Sequence, residues 1–203
     1  SNLEPAPAPG RRRAAPLLAL VLALALSLAA VGDNQLAGHA SPYLAMHGQD
    51  PVHWQDWGPQ VLRRARSENR LILISIGYSA CHWCHVMQRE SYQDETLAAL
   101  LNRHFIAVKL DRELHPALDA HLIDFVERTQ GQAGWPLNVF LTPEGYPLVG
   151  LTYAPKDEFL GLLRRLTAAW TEEAERLTAL ARRGSEQRRA EQHAHRVEVV
   201  HAA

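Results

Sequence analysis

The chain has 203 residues, 47% of them hydrophobic, and its formal net charge is −1. This length and composition predict one ordinary hydrophobic core with tails and argue against a multi-domain enzyme. Because the charge is balanced, nothing indicates a basic surface for nucleic acid, and no nucleic-acid partner is expected. Only two cysteines occur, three positions apart. A framework of structural disulfides is therefore excluded, and the pair is expected to serve chemistry.

The first 32 residues predict a secretory signal peptide or a membrane anchor. Three arginines at residues 11–13 precede an uncharged run over residues 14–32, which ends in small residues that offer cleavage sites. The run is also close to the roughly 18 residues that a spanning helix needs, so an uncleaved anchor is the alternative. We expect a periplasmic or otherwise extracytoplasmic protein, secreted or anchored, that meets the membrane only through this segment.

The motif Cys81-His82-Trp83-Cys84 follows an apolar run at residues 71–77. The run predicts a buried strand, and the residues from Cys84 onward have helical composition, which would place Cys81 at a helix N-terminus. There the unpaired N–H groups and the helix dipole favour a thiolate, which is the form that attacks a disulfide. Cys84, one turn deeper, could then resolve the mixed disulfide. The motif predicts a redox-active dithiol.

Periodicity and end signals predict the other elements in chain order. Residues 33–57 form an irregular segment, in which composition favours packing or surface roles for His47 and His53. Helices are predicted over residues 58–68, 95–102 with Asp94 as cap, 111–130, and from 157 onward. Strands are predicted over residues 105–110, 135–141 and 146–153, the last two forming a hairpin around a turn at 142–145. Residues from 171 onward predict a charged, solvated helix.

Longer motifs accompany this order of elements, which is that of a thioredoxin fold. They are Asn34-Gln35-Leu36-Ala37, Ser41-Pro42-Tyr43-Leu44 with His47, Pro51-Val52, Trp54, Trp57-Gly58, Ser75-Ile76-Gly77-Tyr78-Ser79, Cys81-His82-Trp83-Cys84-His85-Val86-Met87, Arg89-Glu90-Ser91, Asp111-Arg112-Glu113 and Gly134-Trp135-Pro136. Over residues 34–155 the chain resembles the thioredoxin-like domain that opens the spermatogenesis-associated thioredoxin-like family. It departs from that pattern at Asp50, His53 and Gln132-Ala133, where Asn, Asp and a more glycine-rich loop are expected.

The resemblance implies an α/β thioredoxin fold. Its central mixed β-sheet would be flanked by helices, with an N-terminal irregular extension and a helical insertion before the strand that a cis Trp135–Pro136 peptide opens. Three parts are therefore expected. They are residues 1–32 as signal peptide or membrane anchor, residues 33–170 as the thioredoxin-like domain, and residues 171–203 as a charged helical tail.

The resemblance also implies a thiol-disulfide oxidoreductase. Cys81 as thiolate would attack a substrate disulfide, or the Cys81–Cys84 disulfide would accept electrons from a substrate dithiol, while Pro136 presents its neighbouring backbone to an extended substrate. No cofactor and no metal are expected. The expected partners are exported protein thiols or disulfides and a redox partner that the sequence does not identify.

Four side chains near the cysteines would tune or cover the sulfurs. His82, as imidazolium, would stabilise the thiolate and make the disulfide more oxidising, and His85 lies on the same helical face as Cys81 and could act likewise. Trp83 and Trp135 would supply apolar cover, so these two and His85 are the predicted substrate-binding residues.

Other functions are compatible with the same residues. Cys81-x-x-Cys84-His85 is also the attachment pattern of a c-type haem, although the preceding strand and Pro136 favour redox exchange. A redox-inactive thioredoxin-like binding module is a further alternative. A zinc site that combines Cys81, Cys84, His82 and His85 is disfavoured, because successive residues on a helix diverge by about 100 degrees.

Overall fold

The computed structural model describes residues 33–201, with side chains over residues 33–193. The predicted signal peptide or anchor, residues 1–32, lies outside the described residues. Within residues 33–201, no helix is both long enough and apolar enough to cross a membrane.

Four strands form one mixed sheet. They are β1 (Leu71–Gly77), β2 (Phe105–Asp111), β3 (Leu137–Leu141) and β4 (Pro147–Leu151), and their order is β2-β1-β3-β4. β1 and β2 are parallel, whereas β3 runs antiparallel to both β1 and β4. The parallel pair needs a crossover connection, which the intervening helices supply. This arrangement confirms the predicted thioredoxin fold.

Helices cover both faces of the sheet. They are α1 (Pro42–Met46), α2 (Pro59–Glu68), α3 (His82–Met87), α4 (Glu95–His104), α5 (Pro116–Gln130) and α6 (Lys156–His201), with a 3-10 turn at His47–Gln49 and a π-helical turn at Gln88–Tyr92. Alternate strand residues join two different apolar clusters, one with α2 and α5 and the other with α1, α3, α4 and α6. All residues of β1, β2 and β3 are consequently buried, as expected for strands covered on both faces.

The structure corrects several predicted boundaries. The helix predicted over residues 111–130 begins only at Pro116, because Asp111 still pairs with Gly77 at the end of β2. A proline is favourable at the first helical position, where its missing N–H has no intrahelical partner to lose. β3 begins at Leu137 instead of residue 135, and β4 is shorter than predicted at both ends. The segment predicted as irregular contains α1 and the 3-10 turn.

The C-terminal helix runs through the predicted boundary between residues 170 and 171, with a backbone break at Glu173. Its outer part is not wholly solvated, contrary to the prediction. The Arg188 guanidinium lies 4.8 Å from the centroid of the Phe125 ring, and Glu191 pairs with Arg128 at 3.3 Å. This part of α6 therefore packs against α5, while the division into a domain and a tail stays a prediction.

Candidate active site

The two cysteines form a disulfide at the start of α3, with their Cα atoms 5.3 Å apart. Cys81 is the N-cap residue of α3, and its Sγ accepts a hydrogen bond from the Cys84 N–H at 3.2 Å. The predicted position of Cys81 at a helix N-terminus is confirmed. Cys81 is 5% exposed and Cys84 is 0% exposed, so only Cys81 presents surface to a reaction partner.

His82 and Trp83 lie exposed on the first turn of α3. Trp83 is 52% exposed, and its ring centroid lies 4.8 Å from that of Tyr153 and 5.5 Å from that of His82. The Tyr153 hydroxyl donates to a Glu90 carboxylate oxygen at 2.6 Å, which fixes the tyrosine beneath the tryptophan. Trp83 thus offers an exposed aromatic surface two residues from Cys81, and its covering role stays a prediction.

The cis peptide between Trp135 and Pro136 is present, as predicted. Pro136 directly precedes Leu137, which pairs with Ile76 in the sheet. It therefore lies beside the end of β1, from which the chain turns into Cys81. The role of Pro136 in presenting its neighbouring backbone to a substrate stays a prediction.

Trp135 is held by contacts on two sides. Its Nε1–H donates to Asp119 Oδ1 at 2.8 Å, and the Arg112 guanidinium lies 3.9 Å from its ring centroid. The Tyr78 ring packs edge-on against it at 5.8 Å. These contacts place a cation and two aromatic rings next to the cis peptide, an arrangement that residue spacing alone did not reveal.

His85 has a partner other than the sulfurs. Its Nε2 forms a 2.8 Å hydrogen bond with the carbonyl oxygen of Ser79, in the turn that leads to Cys81. The ring is therefore tied to the backbone of the turn that precedes Cys81. Among the described side chains, no three His, Cys, Asp or Glu residues gather in a way that could hold a metal ion.

A buried lysine lies on β2, beside β1, the strand that precedes the dithiol. Lys109 is 0% exposed, and its Nζ donates to Ser75 Oγ at 2.9 Å. Nζ also lies 4.6 Å from the Tyr92 ring centroid and 5.3 Å from that of Trp54. Burial lowers the Lys109 pKa to about 7, against the opposing charge of Asp50. Sequence reasoning gave Lys109 no role, although a lysine inside an apolar strand is the signal that could have found it.

Polar groups continue the network away from this lysine. The Tyr92 hydroxyl donates to Asn138 Oδ1 at 2.6 Å and lies 3.0 Å from Ser75 Oγ. Burial raises the Tyr92 pKa, so this phenol stays protonated. Asn138 Nδ2 approaches Met87 Sδ at 3.3 Å, which brings the network to the base of α3. The chain therefore carries a hydrogen-bonded layer between the sheet and the dithiol helix.

Asp50, one of the departures from the family pattern, lies in the same layer. Its carboxylate accepts from Trp54 Nε1 at 3.0 Å and from Gln88 Nε2 at 2.9 Å, and it lies 2.6 Å from His47 Nδ1. Burial, followed by the charge of Lys109, lowers the His47 pKa to about 4 despite Asp50. His47 is thus a neutral packing residue, and Asp50 supplies the negative charge that faces Lys109.

Comparisons with known proteins identify a family for the chain. The sequence pattern of the family Thioredox_DsbH, described as "Protein of unknown function, DUF255", matches residues 33–188. "Uncharacterized protein B0495.5" of Caenorhabditis elegans is 41% identical over 150 residues, which are 71% of this chain and 21% of that protein. "Spermatogenesis-associated protein 20" of Homo sapiens is 43% identical over 143 residues, which are 68% of this chain and 18% of that protein. The chain spans about a fifth of the length of these curated relatives.

Solved structures with similar folds include a protein titled "DsbH Oxidoreductase". It is 16% identical, with a TM-score of 0.46, and the match covers 58% of this chain and 85% of that chain. A thioredoxin from Thermus thermophilus is 21% identical, with a TM-score of 0.46, and the match covers 57% of this chain and 88% of that chain. On the match over residues 33–188, the chain belongs to the DsbH-like thioredoxin family DUF255.

Proposed function

We propose that the chain is a thiol-disulfide oxidoreductase that acts on exported protein substrates through Cys81 and Cys84. The observation that carries the proposal is the difference between the two sulfurs. Cys81 caps α3 and keeps exposed surface, whereas Cys84 has none. Disulfide exchange needs one sulfur that a partner can reach and a second sulfur that displaces the partner.

The exchange takes two steps at these sulfurs. A partner thiolate attacks Cys81 Sγ, the Cys81–Cys84 bond breaks, and Cys84 leaves with the electron pair. A second partner thiolate then attacks the partner sulfur of the mixed disulfide and releases Cys81 as thiolate. The partner dithiol is thereby oxidised to a disulfide, and the protein is left as a dithiol. The reverse sequence reduces a partner disulfide.

Neighbouring residues receive the roles that their positions support. His82, exposed beside Cys81, stabilises the Cys81 thiolate as imidazolium. His85, which is hydrogen-bonded to the Ser79 carbonyl oxygen in the turn before Cys81, acts on the thiolate in the same way. Pro136 presents the adjacent backbone to an extended substrate, and Trp83 and Trp135 cover the substrate near the sulfur. A separate redox partner returns the pair to its starting state, as a catalytic cycle requires.

Equilibration in glutathione buffers tests the chemistry directly. The protein is alkylated after equilibration, and its mass is measured by mass spectrometry to count the free thiols. The expected result is a two-electron transition between the disulfide and two free thiols. The protein should also accelerate the reduction of a disulfide-bonded protein by dithiothreitol. The control is the double variant Cys81→Ser/Cys84→Ser. Equal rates with wild type and control would leave the redox-inactive binding module as the better description.

The export part of the proposal is supported by the pattern of residues 1–32 alone. Cell fractionation and sequencing of the mature N-terminus test it. A shortened or membrane-bound chain outside the cytosol is expected. A cytosolic chain that keeps its first residues would remove export from the proposal and leave the exchange chemistry untouched.

A further inference from the structure

The hydroxyl group of Tyr43 is buried without a partner in the disulfide form. Tyr43 is 1% exposed, and among the described residues no group forms a hydrogen bond with its Oη. An unpaired buried hydroxyl is costly compared with the carbon and hydrogen of a phenylalanine. A tyrosine at this position therefore suggests that the hydroxyl finds its partner in another state of the protein.

That hydroxyl borders the sulfur of Cys84. A Cβ atom built on Gly77 would lie 2.7 Å from Cys84 Sγ and closer still to Tyr43 Oη. Tyr43 Oη and Cys84 Sγ both lie within 2.7 Å of this point, so they are at most twice 2.7 Å apart. Because Gly77 has no side chain, no atom of Gly77 lies between the oxygen and the sulfur.

Ser41 fixes the tyrosine at this place. Its Oγ accepts from the Leu44 N–H at 3.2 Å as the cap of α1 and donates to Asp111 Oδ2 at 2.6 Å. Asp111 is the register partner of Gly77 in the sheet. The turn that carries Tyr43 is thus bound to the strand position next to Gly77, so the approach of Oη to Cys84 is set by the fold.

We propose that the Tyr43 hydroxyl donates a hydrogen bond to Cys84 Sγ once the disulfide opens, and that it thereby stabilises the buried Cys84 thiolate. This inference rests on the proposed exchange function. It assigns Tyr43 as the residue that forms a hydrogen bond with Cys84, the leaving group of the exchange. When a partner thiolate attacks Cys81, a new sulfur–sulfur bond forms at Cys81 and Cys84 keeps the electron pair of the broken bond. The hydroxyl then gains the acceptor that it lacks in the disulfide form, and its own proton stays on oxygen.

The surroundings of Tyr43 keep that proton in place. Burial raises the Tyr43 pKa well above its ordinary value, and nearby negative groups add to the effect. Lys109 Nζ lies 5.6 Å from the Tyr43 ring centroid and, when protonated, is a positive charge near this side chain. The titratable groups that face this side chain are Tyr92, Asp111, Asp50, Lys109 and His47.

The substitution Tyr43→Phe tests the proposal, because it removes only the unpaired oxygen. The oxidised variant should unfold in denaturant at no lower concentration than oxidised wild type. Its disulfide should nevertheless be harder to reduce. In glutathione buffers at a pH at which reduced Cys84 is a thiolate, the equilibrium constant for forming the disulfide should rise about tenfold, the typical effect of one hydrogen bond to a charged group. A tenfold change corresponds to a reduction potential about 30 mV more negative.

Tyr146→Phe is the matched control, since Tyr146 lies in the hairpin between β3 and β4, and it should leave the equilibrium constant unchanged. A Tyr43→Phe constant within twofold of wild type would overturn the proposal. A second measurement does not require exchange. In the Cys81→Ser background, Tyr43→Phe should raise the Cys84 pKa followed by thiolate absorbance, and an unchanged pKa would also overturn it. If wild type never exchanges with glutathione, the proposed function fails while this pKa still tests Tyr43.

Discussion

Lys109 Nζ donates to Ser75 Oγ at 2.9 Å, and both residues are 0% exposed on adjacent parallel strands. Ser75 precedes Cys81 by six residues, and Lys109 Nζ lies on the face of the sheet that the rings of Tyr43, Trp54 and Tyr92 cover. Asp50 is the acidic group whose charge acts on it, and no carboxylate among the described residues forms an ion pair with it within 4.0 Å. A lysine in this setting affects stability in a pH-dependent manner.

We predict that the free energy of unfolding rises between pH 7 and about pH 10. The Lys109 pKa is about 7 in the folded protein, compared with 10.5 as its ordinary value. Between these values the unfolded chain binds a proton that the folded chain does not, so stability increases with pH, by at most about 1.4 kcal/mol per pH unit. Denaturant unfolding of Lys109→Met should show a flatter profile.

The only other lysine supplies the control. Lys156 is partly exposed and pairs with Asp94 at 2.9 Å, and this pairing raises its pKa. Lys156→Met should therefore keep the wild-type slope over the same pH range. A wild-type slope in Lys109→Met, or a flattened slope in Lys156→Met, would show that other groups govern the pH dependence.

Trapping experiments should distinguish the roles of the two cysteines. Cys84→Ser removes the resolving sulfur while the accessible Cys81 stays in place, so mixed disulfides with partner proteins should accumulate on non-reducing gels. Cys81→Ser leaves only a sulfur with no exposed surface and should trap few partners or none. Preferential trapping through Cys84 would reverse the assignment of nucleophile and resolving residue.

His82→Ala should make the disulfide less oxidising. On the proposed function, an imidazolium beside the N-cap sulfur would stabilise a Cys81 thiolate, so removing His82 should raise the Cys81 pKa in the reduced protein and slow alkylation near neutral pH. His121→Ala is a suitable control, since His121 is exposed on α5, the helix that covers the opposite face of the sheet. If His82→Ala alkylates at the wild-type rate, the helix N-terminus is the main source of thiolate stabilisation.

Gly77→Ala should disturb both the fold and the dithiol. Its Cβ would overlap the Tyr43 hydroxyl and approach Cys84 Sγ to 2.7 Å, both within the apolar cluster of α1 and α3. Such overpacking typically costs about 1–3 kcal/mol of unfolding free energy. Gly134→Ala, where a Cβ meets nothing within 4 Å, should unfold like wild type. Equal midpoints for the two variants in denaturant would contradict the close approach at Gly77.

Local signals were sufficient where one residue controls an element. Asp94 caps α4 by accepting from the Leu97 N–H at 2.9 Å, as predicted, and the apolar run of residues 71–77 is β1 over its whole length. The predicted start of α5 was wrong because Asp111 pairs with Gly77 in the sheet, and apolar periodicity does not reveal such a pairing. The π-helical turn at Gln88–Tyr92 has an ordinary helical composition and gave no sign of its wider turn.

The layer of Lys109, Tyr92 and Asn138 could not be predicted for a different reason. These residues come from β2, the π-helical turn and β3, and each is far from the others in sequence. Their hydrogen bonds depend on the crossing of strands and helix, which residue spacing does not encode. The Tyr43 motif was visible in the sequence, but its position beside Cys84 follows from the Ser41 bond to Asp111.

The bond between Ser41 Oγ and Asp111 Oδ2 has a practical consequence for expression of a minimal domain. A truncated protein that begins at α2 would keep all four strands and both cysteines, and therefore the strand topology of a thioredoxin fold. It would lose residues 34–57, however. This segment covers Lys109 with the rings of Tyr43 and Trp54. Water would then reach the lysine and Cys84 Sγ, so measurements on such a fragment would not describe the Cys81–Cys84 pair of the longer chain.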